Sequence, residues 1–344
     1  MDRRTFNGSV PIAATLFCVF SLAPIACAWA QQPAKLPKVA ILSPRAPTAQ
    51  ACGANMQGSS LPCFLDAMVE LGYVEGKNVS FEFRYAEDDY KKLPALAAEL
   101  VRLRPDVIYT AGTPGVTAAA NATTTIPIIV GPAGEETLTR LAGNLAHPIG
   151  NVTGFTLDSL EQVLKCLQFL KELAPRTSRV ALLLNPDNPN FRDYPGILVP
   201  AATQLGLTLI RIEARNLSDL PQAFAAIVAS GANAIYFFDD ATLAGTGPGR
   251  KQVSEWALKQ RLPVASSNAR VASDGGLLSF GTDLNALNRR AAGYVDKVLK
   301  GVKPADLPVE RPSVFNLSVN VKTAKALGIV IPQSLLLRAD EVIQ

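Results

Sequence analysis

From residue 36 onward, short apolar runs alternate with amphipathic stretches. Val39, Ala40, Ile41 and Leu42 are continuously apolar, and an amphipathic stretch follows over residues 61–71. Residues 78–85 alternate, with Val79, Phe81 and Phe83 on one face, which is the period of a strand. A helix is predicted over 93–103, ending before Pro105. Strand 106–109, helix 114–122, strand 126–130 and helix 137–145 follow. The rhythm then repeats. Asp158 and Glu161 have the spacing of a capping box, opening a helix that runs to about residue 173. Next come strand 180–184, helix 196–205, strand 207–212, a helix after Ser218, strand 234–238, a helix to residue 259, strand 263–266 and the apolar pair Leu277 and Leu278.

Continuous apolar strands separated by helices predict parallel sheets covered on both faces. Two such sets predict an α/β protein of two doubly wound parallel-sheet lobes joined by a multi-strand hinge. The first lobe is expected to take residues 36–150 and about 278–308, the second residues 151–277 and about 309–344. Crossings are expected near 147–156, 275–276 and 303–312, where Pro and Gly concentrate. Lobes joined by several strands can close on a ligand held between them.

Composition narrows the class. Of 344 residues, 48% are hydrophobic and 18% charged, which excludes a disordered chain. The net charge of +4 is mild and scattered, so no nucleic-acid footprint is expected. The first 30 residues read as a cleaved signal peptide. Arg3 and Arg4 precede an apolar run from Val10 to about Ala28, and Ala28, Trp29 and Ala30 form an A-x-A cleavage site. Arg3, Arg4, Thr5 and Phe6 also resemble a twin-arginine signal. Beyond residue 30 no apolar stretch is long enough to span a bilayer. Cys52 and Cys63 flank a Gly/Asn/Gln/Ser segment and can bond to each other in an oxidising compartment. Cys166 lies among Leu164, Leu167 and Leu170 and reads as a small buried hydrophobe.

In doubly wound sheets ligands bind outside the carboxyl ends of the strands, so the residues after each strand are the candidates. Ser43, Pro44 and Arg45 follow the first, where Arg45 can grip a carboxylate bidentately. Gly112, Thr113 and Pro114 follow the third. Thr113 suits an N-cap and Pro114 the first helical position, leaving the N–H groups of Gly115 and Val116 toward an anion. Pro132 and Glu135 follow the next strand. Glu135 can meet an ammonium group or simply suit the helix dipole. In the second half, Asn185 and Asn188 sit on a Pro-rich loop. Asp239 and Asp240 end a strand, as acid–base groups, cation binders or caps. Ser266 ends another strand. Phe280, with Phe191, Tyr194 and Phe238, is either pocket wall or core.

Several chemistries are set aside. His147 is the only histidine and precedes Pro148, and no G-x-S-x-G elbow exists. No His or Cys cluster has metal-ligand spacing, so neither a metal nor a cofactor is expected. The run from Gly245 to Lys251 matches neither phosphate-binding loop and reads as a loop before a helix.

The chain resembles the ABC-transporter substrate-binding proteins of the tryptophan/tyrosine-binding-like group, from about Lys38 to Gln344. The resemblance rests on Glu70-Leu71-Gly72-Tyr73-Val74-Glu75-Gly76-Lys77-Asn78, Leu93-Pro94-Ala95-Leu96, Gly112-Thr113-Pro114, Gly150-Asn151-Val152-Thr153-Gly154 and Asn185-Pro186-Asp187-Asn188-Pro189. It also rests on a tail through Tyr294-Val295-Asp296-Lys297, Lys303-Pro304-Ala305-Asp306, Lys322-Thr323-Ala324-Lys325-Ala326-Leu327-Gly328 and Arg338-Ala339-Asp340-Glu341. It implies a type I periplasmic binding protein fold and a monomeric periplasmic receptor. Such a receptor would deliver an aromatic or carboxylated, amino-acid-like solute to an ABC permease in the inner membrane. The chain departs from the group at Glu135-Glu136, where Asp-Pro is usual. It departs again at Ser266 and Ala269, where Tyr and, three residues on, Arg are frequent. Two rival readings are a sensor built on the same clamp and a secreted enzyme using Asp239 and Asp240.

Overall fold

The computed structural model describes residues 36–45, 52, 61–157, 160–191 and 194–344. The expected signal peptide over 1–30, the cap at Asp158 and the side chain of Tyr194 lie outside the described residues.

The first sheet contains β1 (Lys38–Ser43), β2 (Ser80–Tyr85), β3 (Val107–Thr110), β4 (Ile128–Gly134) and β5 (Val152–Leu157), all parallel, in the order β2-β1-β3-β4-β5. Its helices are α1 (Leu61–Glu70), α2 (Leu93–Arg102), α3 (Thr113–Ala122) and α4 (Glu135–Ala142). Successive strand residues point to opposite faces, and both faces are covered. Ala40, Leu42, Ile108 and Val130 pack with α2, α3 and α4, while Val39, Ile41, Val107 and Tyr109 pack on the other side with Phe64 and Met68 of α1. This double burial, worth roughly 1.5–3 kcal/mol for each large aliphatic side chain, is why the strands are continuously apolar in sequence.

The second sheet repeats the plan. It is built from β6 (Arg179–Leu184), β7 (Thr208–Glu213), β8 (Ala234–Phe237), β9 (Val264–Ser266) and β10 (Leu278–Gly281), with α5 (Leu160–Leu173), α6 (Tyr194–Gln204), α7 (Leu220–Ala229), α8 (Gly247–Lys259) and α9 (Arg270–Ser273). Its order begins β7-β6-β8-β9-β10, the same reversal as in the first sheet. Val180, Leu182 and Leu184 face α5, while Ala181 and Leu183 face α7 and α8.

After β10 the chain crosses back. The long α10 (Leu284–Leu299) packs against α1 and β4 of the first lobe, and Glu310 bridges to Phe155 of β5. The chain then returns as β11 (Asn316–Asn320), α11 (Val321–Leu327), α12 (Gln333–Leu336) and β12 (Glu341–Ile343). β11 enters from the opposite end and runs antiparallel to β10, so the second sheet is not wholly parallel. Two expected boundaries move. β5 belongs to the first sheet, so the first crossing follows Leu157 rather than residue 150. β10 belongs to the second, so the next falls between Gly281 and Leu284.

Gly154 shows why the Gly-Asn-Val-Thr-Gly motif ends as it does. Its φ is +143°, and a Cβ there would lie 2.0 Å from the carbonyl oxygen of Val130 on the neighbouring strand. Cys52 and Cys63 are disulfide-bonded, with Cα atoms 4.6 Å apart. Cys166 is buried, its thiol 3.5 Å from the Ser266 carbonyl oxygen. No described helix is long and apolar enough to cross a membrane.

Candidate functional site

Strand order reverses between β1 and β3 in one sheet and between β6 and β8 in the other. Where neighbouring strands send their connections to opposite faces, a crevice opens at their carboxyl ends. Here the two crevices face each other across one cavity of about 130 Å³. At about 10–15 Å³ per water that is room for roughly ten waters, the size of an amino acid or small aromatic acid.

Each lobe supplies one rim. Ser43 ends β1, with Pro44 and Arg45 just after it, and Gly112, Thr113 and Pro114 follow β3. Opposite them stand Asn188, Asn190 and Phe191 after β6, and Asp239, Ala241 and Gly245 after β8. Asn268 and Arg270 come from the end of β9, and Tyr90, Pro132, Gly134 and Asn288 complete the polar and backbone lining. Ile41, Leu61, Tyr109, Leu157 and Leu284 form the apolar wall, in which Tyr109 stacks on Phe64 with ring centroids 3.7 Å apart.

The lobes meet directly around the cavity. Arg45 donates through Nη1 to the Gly245 carbonyl at 2.5 Å, and the Tyr90 hydroxyl donates to Asp240 Oδ2 at 3.0 Å. Gly134 abuts Asn190 so closely that a Cβ at 134 would lie 1.7 Å from Asn190 Oδ1. That oxygen is buried and has no protein hydrogen bond.

Charge is concentrated at one end. Burial lowers the pKa of Arg45, an effect Asp88 opposes, the nearer oxygen of Asp88 being 4.0 Å from Arg45 Nε. Burial, aided by the positive charge of Arg250, likewise lowers that of Arg270. Burial raises the pKa of Asp239, although its Oδ1 accepts a 2.8 Å hydrogen bond from Asn268 and Arg250 stands nearby. Each of the three is thus pushed toward its neutral form, the condition of a charge that lacks water and would gain from an opposite charge. Arg250 itself is fully buried behind the rim. It donates to Asp274 at 2.6 Å and to the Ala244 carbonyl at 2.8 Å, bracing the loop after β8.

Of the residues singled out from sequence, Ser43, Arg45, Gly112, Thr113, Pro132, Asn188 and Asp239 line the cavity. Four others are placed elsewhere. Glu135 opens α4 and pairs with Arg311 through two hydrogen bonds of 2.6 and 3.0 Å. Asn185 is turned inward, donating to Asp240, Thr242 and the Arg215 carbonyl. Ser266 is fully buried and donates to the Phe237 carbonyl at 2.6 Å. Phe280 packs between Phe169 and Phe315, at 5.2 and 5.6 Å.

Two local expectations change. Thr113 does not cap α3. Gly112 takes the cap position at φ +81°, a conformation that favours glycine, and the Thr113 hydroxyl instead accepts from the Gly134 amide at 2.9 Å. The run from Gly245 to Lys251 is not all loop, because α8 starts at Gly247, with Thr246 accepting from the Gly249 amide. Tyr90, Asn190, Asn268, Arg270 and Asn288 reach the cavity without having been singled out from sequence. Asn268 and Arg270 carried the same signal as the others, a position just after a strand.

Known proteins share this architecture. The Tyrosine-binding protein of Clostridioides difficile (strain R20291) is 28% identical over 264 residues, spanning 77% of this chain and 75% of that protein. The crystal structure of a conserved domain protein from Vibrio cholerae superposes with a TM-score of 0.78 at 27% identity, covering 90% of this chain and all of that one. The ABC domain in complex with L-Trp from Streptococcus pneumonia superposes with a TM-score of 0.78 at 26% identity, with the same coverage. The two lobes have the type I periplasmic binding protein arrangement. The family model described as ABC transporter substrate binding protein matches residues 57–343, and the chain belongs to that family.

Proposed function

We propose that this protein captures a small aromatic or carboxylated solute of amino-acid size in the interlobe cavity and hands it to an ABC permease in the inner membrane. The observation that carries this reading is the convergence of two half-buried guanidiniums, Arg45 and Arg270, with one half-buried carboxylate, Asp239, on the lining of a cavity of about 130 Å³. A ligand carboxylate would take the guanidiniums, bidentately where geometry allows. A ligand ammonium would take Asp239. The apolar body would lie against Ile41, Leu61, Tyr109 and Phe191. A ligand carrying both charges relieves both burial penalties, which favours an amino acid. The names of two relatives, one tyrosine-binding and one solved with L-Trp, support that choice.

The work is binding rather than turnover. Asp239 is held by the Asn268 amide, not by a hydroxyl or thiol it could activate. Ser43 Oγ is engaged with the backbone of Arg45. The basic, apolar and A-x-A leader over residues 1–30 supports export to the periplasm, where such a receptor meets its permease.

A thermal-shift screen against amino acids, aromatic acids, nucleobases and sugars tests this. A solute at 100 times its dissociation constant stabilises the protein by about 2.7 kcal/mol. L-Tyrosine or L-tryptophan is expected among the hits and to be recovered unchanged. A hit that is consumed would overturn the binding reading, and hits confined to sugars would overturn the solute class.

A further inference from the structure

Asp240, next to the cavity residue Asp239, is only 1% exposed. Its own lobe supplies most of the donors that a buried carboxylate needs. Oδ1 accepts from the Thr242 amide at 3.0 Å, the Thr242 hydroxyl at 2.6 Å and Asn185 Nδ2 at 3.3 Å. Oδ2 accepts from Asn188 Nδ2 at 2.8 Å. The remaining recorded donor belongs to the other lobe: the Tyr90 hydroxyl, 3.0 Å from Oδ2. Four donors thus lie within one lobe, and the fifth reaches across from the other.

Tyr90 is equally prepared. It follows two residues in the left-handed region, Glu87 at φ 54° and Asp88 at φ 64°, an uncommon conformation for side chains other than glycine. That turn carries Tyr90 from the edge strand β2 to the cleft. Burial, then the charge of Asp240, raises its pKa well above the ordinary tyrosine range, so the hydroxyl keeps its proton and remains a donor.

We propose that Tyr90 and Asp240 form a latch, a hydrogen bond across the cleft that sets how readily the lobes close and so scales affinity for every ligand without choosing among them. The reason is differential solvation. In the open state water serves Asp240 Oδ2 and the Tyr90 hydroxyl separately. In the closed state each has the other, in a charge-assisted bond. Removing the hydroxyl leaves Asp240 Oδ2 one donor short only when closed, where water no longer reaches it, and this shifts the population toward open. Apparent affinity falls with the closed fraction, by one factor for all ligands. Tyr90 is a positioning residue in this scheme, acting through the lobes.

The test uses the Tyr90→Phe protein in two experiments. In small-angle scattering without added solute, the variant is expected to have a larger radius of gyration than the wild type. This arm is independent of what the cavity binds. The calorimetric arm rests on the capture reading, with L-tyrosine and L-tryptophan as probes. Both affinities are expected to fall about tenfold, with faster dissociation and an unchanged ratio between them. Asp240→Asn is expected to be non-additive with Tyr90→Phe in a double-mutant cycle. Unchanged scattering together with unchanged affinity would overturn the latch. So would a shift of more than about threefold in the ratio of the two affinities, well above the scatter of independent effects, since Tyr90 would then touch the ligand. If neither amino acid binds the wild type, the aromatic amino-acid reading fails while scattering still decides the latch.

Discussion

The two lobes are built on one plan and furnished differently. Both sheets place their second strand outside their first and reverse direction between the first and third. The first lobe fills its crevice mouth with Ser43, Pro44, Gly112, Thr113 and Pro114, and contributes one guanidinium, Arg45. The second fills the equivalent mouth with Asn188, Asn190 and Asp239, and adds Arg270. Support differs as well. Behind the second rim lies a network of Asn185, Asp240 and Thr242, largely closed within the lobe, while Arg250 separately braces the Ala244 carbonyl. The first rim instead reaches across, through Arg45 to Gly245 and Tyr90 to Asp240. A repeated scaffold places both rims on one cavity, and the loops give each rim its own charged and polar groups.

The largest expected effect separates recognition by the two lobes. Asp239→Asn removes the carboxylate assigned to an ammonium. It is expected to weaken L-tyrosine by about 10–150-fold, the worth of a hydrogen bond to a charged group. Binding of the same molecule without its amine, 4-hydroxyphenylpropionate, should change by no more than about threefold. Arg45→Lys, which loses the bidentate fork, should weaken both compounds by about tenfold. Calorimetry with the two compounds distinguishes the cases, and equal losses for both compounds in Asp239→Asn would abolish the division of labour.

A smaller effect tests closure. The Cβ in Gly134→Ala would meet Asn190 Oδ1 only when the lobes are together. Overpacking of this kind costs about 1–3 kcal/mol, so affinity is expected to fall while the melting temperature of the unliganded protein changes little. Asn190→Ala in the same chain clears the space. If it fails to restore the closed state in scattering, Gly134 matters for another reason.

The smallest effect is in pH. Burial raises Asp239 in the folded protein, so the folded state holds that proton more tightly than the unfolded chain. Stability from this group therefore falls as pH rises from the ordinary carboxyl range through the raised value. An ammonium-bearing ligand favours the ionised carboxyl, so its binding releases a proton in that window and tightens as pH rises. Calorimetry in two buffers of different ionisation enthalpy reads the release directly. Asp239→Asn should abolish it.

Much of the scaffold was legible because parallel strands buried on both faces leave an unbroken apolar signature, as in Val39 to Leu42 and Val180 to Leu184. The strand ends then pointed to Arg45, Thr113, Asn188 and Asp239. The same rule went astray where a polar residue at a strand end turned inward. Asn185 serves Asp240, Ser266 serves the Phe237 carbonyl, and Glu135 finds Arg311 from 176 residues away. Tyr90 lies past the turn that follows β2 and Asn288 lies inside α10 after β10, both beyond the few residues at a strand end to which the rule applies.

Sequence alone determined the alternation of strand and helix, the two-lobed class and several of the loops that line the cavity, because these follow from short-range periodicity and the chemistry of turns. Tertiary structure alone decided the crossing points, the antiparallel return of β11, the partners of Glu135 and Asn185, and the meeting of Tyr90 with Asp240 across 150 residues. Those outcomes depend on which surfaces pack when distant segments come together, and a hydrogen bond between two loops leaves no periodic trace in either.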